Sequence, residues 1–115
     1  MRVLKYLNDP SKIKNWYVIF PYGNRFSILR NKTNIQTSIF SGYDKREYLD
    51  EYTQQFQEIY QGVKSFSSQS FAIRWLKNKL KHEKLFKVPM KMHKKYAYYW
   101  STERGTYCLF IQVQE

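Results

Sequence analysis

Residues 16–30, WYVIFPYGNRFSILR, constrain the fold more than any other stretch of the chain. Trp16, Val18 and Phe20 alternate with Tyr17 and Ile19, Pro21-Tyr22-Gly23-Asn24 supply turn chemistry, and Phe26 and Ile28 then resume the period of two. Alternation broken once by turn residues is the pattern of an antiparallel hairpin. A third strand is expected at 35–40, which would make a meander.

The period then changes. Ser41-Gly42-Tyr43 breaks the chain, and Asp44 followed by Glu47 has the spacing of a capping box. Leu49, Tyr52, Phe56 and Ile59 recur at helical spacing before Gly62, so a first helix is predicted from Asp44 to about position 61. A second helix is predicted from Ser67 or Ser68 to about His82, with Phe66 and Phe71 spaced for a hydrophobic staple. Its wheel buries Ala72, Ile73, Leu76 and Leu80 and gathers Arg74, Lys77, Asn78, Lys81 and Lys84 on the opposite side, with Trp75 and His82 between.

Beyond that helix, Phe86, Val88, Met90 and Met92 face one way and Lys87 and Lys91 the other, and Pro89 restricts the segment to an edge strand or extended chain. Segments 96–100 and 107–113, joined by 101–105, read as a closing hairpin. At 115 residues the chain is long enough for one core and too short for two ordinary domains. The expected fold is therefore α+β: a single domain over 1–115, an antiparallel sheet with an amino-terminal hairpin or meander and a carboxy-terminal hairpin, and two helices.

A three-stranded meander followed by a helix is similar in outline to the plant-type and integrase-arm DNA-binding domains, which read DNA with the sheet. Residues 65–76, SFSSQSFAIRWL, are similar to the helix start of such arms. The similarity covers about a dozen positions of loose pattern and is interrupted by the helix expected after Asp44, so family membership is not taken from it.

Charge is the feature that bears on function. Twenty Lys and Arg oppose nine Asp and Glu, a formal net charge of +11 that repels itself unless an anionic partner neutralises it. From Arg74 to Lys95 the basic residues are Arg74, Lys77, Lys79, Lys81, Lys84, Lys87, Lys91, Lys94 and Lys95, opposed only by Glu83, while Asp44, Glu47, Asp50, Glu51 and Glu58 fall on the expected first helix. Lysines lined against phosphates release condensed counterions and bind with little sequence reading. Aromatic rings interleave with them: Trp75 on the helix, and Tyr96, Tyr98 and Trp100 in KMHKKYAYYW, where strand parity sends one set of rings inward and leaves the other as possible base-stacking platforms. The amino-terminal third is basic too, with Arg2, Lys5, Lys12, Lys14, Arg25, Arg30 and Lys32 against Asp9.

These residues point to a small non-enzymatic nucleic-acid-binding protein, DNA or RNA, of the kind carried by a phage or other mobile element. The expected contacts are Arg74, Trp75, Lys77, Lys81, Lys84, Lys87, Lys91, Lys94 and Lys95. The alternative is an interaction or inhibitor protein that docks into the acidic groove of a larger, nucleic-acid-processing partner, a role that Met90, Met92, Tyr98 and Trp100 would suit equally. A basic helix lying on an anionic membrane is a third reading, weakened because the helix's apolar stripe is claimed by the fold.

No catalytic residues, metal or cofactor are expected. His82 and His93 lack metal-ligand spacing, and Cys108 alternates with Phe110 as a packing residue. Asp44, Glu47 and Glu51 would share a helix face able to hold magnesium, but capping explains them as well. A single cysteine, no long apolar run and an early-charged amino terminus point to a reducing, cytoplasmic setting.

Overall fold

The computed structural model describes residues 2–31, 46–89 and 107–114. A short helix, α1 (Arg2–Asn8), and a 3-10 turn over Pro10–Lys12 lead into β1 (Ile13–Tyr22) and β2 (Arg25–Asn31). There follow β3 (Arg46–Leu49), β4 (Phe56–Gln57), α2 (Gln69–Lys79), β5 (Lys84–Val88) and β6 (Cys108–Val113). All six strands join one antiparallel sheet in the order β4-β3-β2-β1-β6-β5. The fold is α+β and mostly sheet.

The β1–β2 hairpin closes with Tyr22 opposite Arg25, so the loop is only Gly23-Asn24. Gly23 has φ of 62°, the positive value that primed hairpin turns demand of their first loop residue. Pro21 lies inside β1, one step before the pair that closes the loop, and β6 has already ended at Cys108 opposite Ile19. Its missing N–H therefore points to the side where no ladder runs among the described residues.

Among the described residues, each face of the sheet packs against one helix. Trp16, Val18, Leu29, Val88, Leu109, Ile111 and Val113 face α1, which contributes Val3, Tyr6 and Leu7. Tyr17, Ile19, Ile28, Leu49, Cys108 and Phe110 face α2, which contributes Ala72 and Leu76. A seven-residue helix is marginal alone, and α1 persists because its i, i+3, i+4 apolar stripe is buried. The second helix begins as expected but ends at Lys79, short of His82, leaving Lys81 and Lys84 beyond it. Ser68 caps it, its hydroxyl accepting from Phe71 N at 3.2 Å, and Ala72 and Leu76 are fully buried. The expected staple is replaced. Phe66 meets the ring of Trp75 at 6.0 Å, while Phe71 is half exposed beneath the Arg74 guanidinium.

The first expected helix is corrected. Residues 46–49 and 56–57 are strands, and the acids Glu47, Asp50, Glu51 and Glu58 lie along a β-hairpin and its flank rather than on one helix face. Tyr52 and Ile59, two of the residues expected at helical spacing, are 87% and 61% exposed. Strand pairing wins because β2 offers an open edge and Arg30 stands directly opposite Glu47, with Nε 2.9 Å from Oε1. Asp50 then turns the chain. Its carboxylate accepts from Tyr52 N, Thr53 N and Gln57 Nε2, and Gln54 takes the left-handed φ of 60°. Asp44 and the strand expected at 35–40 lie outside the described residues, as do 96–100. Their expected hairpin partner is present as β6, flanked by β1 and β5, and β5, ending just before Pro89, is the last strand on that side among the described residues.

The Asp50 turn carries a pH prediction. The Thr53 amide, with help from Tyr52 and Gln57, holds the Asp50 carboxyl below the ordinary carboxylate value. A depressed folded-state value means that the stabilisation is complete above the unfolded value and is lost as pH falls through the folded one. Asp50→Ala should therefore lower the melting temperature at neutral pH, and the gap from wild type should close as the melts are repeated at increasingly acid pH. A gap that stays constant down to the acid limit would show that the turn does not depend on the charged carboxylate.

Candidate nucleic-acid interface

Of the expected contact residues within the described chain, the basic ones are all on the surface and Trp75 is half buried. Arg74 and Lys77 project from the exposed side of α2, Lys81 lies in the turn after it, and Lys84 and Lys87 lie on β5. Among the described residues, Arg74, Lys77, Lys81 and Lys87 meet no carboxylate, and the sole ion pair is Arg30–Glu47. Lys79 is committed elsewhere, donating to the Gln54 carbonyl at 2.8 Å and thereby tying α2 to the β3–β4 turn. Lys91, Lys94 and Lys95 lie outside the described residues, as do Tyr96, Tyr98 and Trp100.

Trp75 is half buried in the seam between helix and sheet. Its ring meets Phe56 at 6.4 Å and Phe66 at 6.0 Å, and Lys79 Nζ lies 5.5 Å from its centroid. The structure uses it to dock α2, so any contact with a ligand would come from a ring already packed on two neighbours.

Three of the described carboxylates are structurally engaged. Glu47 holds Arg30, Asp50 caps its turn, and Asp9 accepts from Ser11 Oγ at 2.7 Å. Arg25 is also occupied, donating from Nε to Ser65 Oγ at 2.7 Å and so joining the hairpin tip to the segment before α2. Among the described residues no three His, Cys, Asp or Glu lie close enough to hold a metal ion. Cys108 is buried beneath α2, and burial raises its thiol pKa above the ordinary value, which suits packing.

Two concave sites escaped the sequence reading. On the face covered by α1, Phe20, Tyr22, Tyr48 and Tyr60 form a chain of edge-on ring contacts, and a cavity of about 200 Å³ opens among Val18, Phe20, Leu29, Arg46, Tyr48, Tyr60 and Tyr107. Tyr48 and Tyr60 were hidden because their segment reads as helical. This cavity lies across the sheet from the basic side of α2.

The second site lies on the α2 side, just past the helix end. Lys14, Asn15, Tyr17, Arg30, Leu80, Glu83 and Gln112 line a cavity of about 450 Å³. Burial pushes the Tyr17 phenol above its ordinary pKa, an effect partly offset by the neighbouring Arg30 guanidinium. A sequence signal for this site exists: Asn15 and Gln112 occupy inward positions in otherwise apolar strands, in phase with Tyr17 and Phe110 respectively. No helix of the described residues is long and apolar enough to cross a membrane.

The chain matches no family model, no curated protein and no solved structure.

Proposed function

We propose that this protein binds nucleic acid without acting on it chemically, holding phosphates along the exposed basic side of α2 and strand β5. The observation that carries the reading is that Arg74, Lys77, Lys81 and Lys87 are exposed and meet no carboxylate among the described residues, on a chain with a net charge of +11. Cations held apart from acids on a folded surface retain their full attraction for a polyanion. Lys84 lies among them at the start of β5, and in sequence Lys91, Lys94 and Lys95 extend the run.

The test is a salt titration of binding to a generic oligonucleotide. Four phosphate contacts correspond to a logarithmic slope of about −2.8 on single strands and about −3.6 on duplex. Raising salt from about 50 to 200 mM should therefore weaken binding by roughly 50-fold to 150-fold. No binding at low salt, or a flat titration, would overturn the reading. Capture of one stoichiometric acidic protein from a nuclease-treated extract, with no affinity for oligonucleotides, would replace it with docking to a protein groove.

A further inference from the structure

Where α2 stops, the face of the sheet that it covers is left open over a polar patch. Asn15 on β1 and Gln112 on β6 are direct partners across the ladder and are 5% and 3% exposed. Gln112 Oε1 accepts from Asn15 Nδ2 at 2.8 Å and from the Tyr17 hydroxyl at 2.9 Å. These bonds use one end of each amide. The other ends, Gln112 Nε2 and Asn15 Oδ1, meet no hydrogen-bond partner among the described residues, although both residues are more than nine-tenths buried and line the 450 Å³ cavity. Buried amide ends are rarely left unmet unless a ligand or water serves them. Turning both amides over preserves the network and exchanges the two open ends, so in either orientation the floor offers one donor and one acceptor.

We propose that this cavity receives the base of one unpaired nucleotide, whose edge pairs with the open ends of Gln112 and Asn15. The proposal rests on the nucleic-acid reading and deepens it. A base edge carries both a donor and an acceptor, which is what the floor requires and what a phosphate lacks. The charges around the cavity agree: Lys14 and Arg30 are balanced by Glu83 beside them and by Glu47, to which Arg30 is bonded, so the cavity itself is not an anion hole. Leu80 supplies an apolar wall, and Lys81, the next residue along, stands ready for the adjoining phosphate. A volume of about 450 Å³ lies within the roughly 300–1,000 Å³ of small-molecule sites.

The experiment compares a single-stranded thymidine oligomer with an abasic oligomer of the same length and phosphate number. Phosphate contacts alone give equal affinities; a base in the cavity should favour the thymidine strand by about 5-fold to 150-fold, the range for one well-held base. Leu80→Trp fills the cavity from its rim and leaves the polar floor intact. It should reduce thymidine binding to the abasic level while leaving abasic binding unchanged. As a second readout, the Gln112 and Asn15 side-chain amide signals in a nitrogen-15 NMR spectrum should shift with the thymidine strand and not with the abasic one. Equal affinities with unmoved amide signals would overturn the base pocket and leave the phosphate reading standing. Failure of both strands to bind would overturn the two together.

Discussion

Leu76→Ala should cost about 2 to 5 kcal/mol of folding stability, whereas Lys77→Ala, one residue further on, should leave the melt nearly unchanged. Leu76 is fully buried against the side of the sheet formed by Tyr17, Ile19, Ile28 and Phe110, with Ala72 one turn before it on the helix. Truncation removes the transfer energy of the side chain and leaves a cavity that rigid strands cannot collapse to fill. The upper part of the range is favoured because the opposing wall belongs to β1, β2 and β6, the central strands of the sheet. Denaturant melts of the two variants check this directly. If both substitutions prove equally mild, α2 is not packed through Leu76 and the basic face opposite it has no fixed position.

That contrast also marks how far local sequence carried. The β1–β2 hairpin and α2 were legible because each signal is local: alternation with Gly23 at the loop in one case, a capping serine and an apolar stripe in the other. The segment after Asp44 misled because Leu49, Tyr52, Phe56 and Ile59 happen to fall at helical spacing. What overrides that spacing is the open edge of β2 and the Arg30–Glu47 pair, which join residues far apart in the chain. The strand at β6 was read from its β-forming residues, even though every residue from Cys108 to Val113 is buried. A strand covered on both faces shows no polar alternation. The second cover is α1, whose seven residues gave too short a run to be recognised as a helix.

The candidate sites divide along the same line. Basic residues on the exposed side of α2 were visible from the helical wheel alone. The Asn15–Gln112 floor was not, since only the β1–β6 register brings those residues into contact, and Tyr48 reaches Phe20 and Tyr60 only because its segment is a strand. Surface charge is readable from composition and period; a pocket built on strand register is readable only through its odd polar residues at inward positions. The two sites nevertheless adjoin, because Leu80 ends α2 and also walls the cavity.

The largest functional effect should come from the combined variant Arg74→Gln, Lys77→Gln, Lys81→Gln and Lys87→Gln. If each cation displaces one counterion, removing four of them should lower single-strand affinity by roughly 10³-fold at about 50 mM salt, and by about one-fiftieth as much near 200 mM, so the variant and wild-type lines converge as salt rises. The substitutions keep much of each side chain's bulk, and none of the four positions holds a carboxylate among the described residues. Losses in the melt should therefore be confined to the contact of Arg74 with the Phe71 ring, 5.5 Å away and about half exposed, worth at most about 1 kcal/mol. Relief of self-repulsion on a chain of net charge +11 opposes even that loss. Affinity and fold should thus separate in one molecule. Equilibrium binding across a salt series, run beside a thermal melt of the same preparation, makes the comparison; a variant that melts normally and binds the oligonucleotide as tightly as wild type at every salt concentration would remove α2 and β5 from the interface.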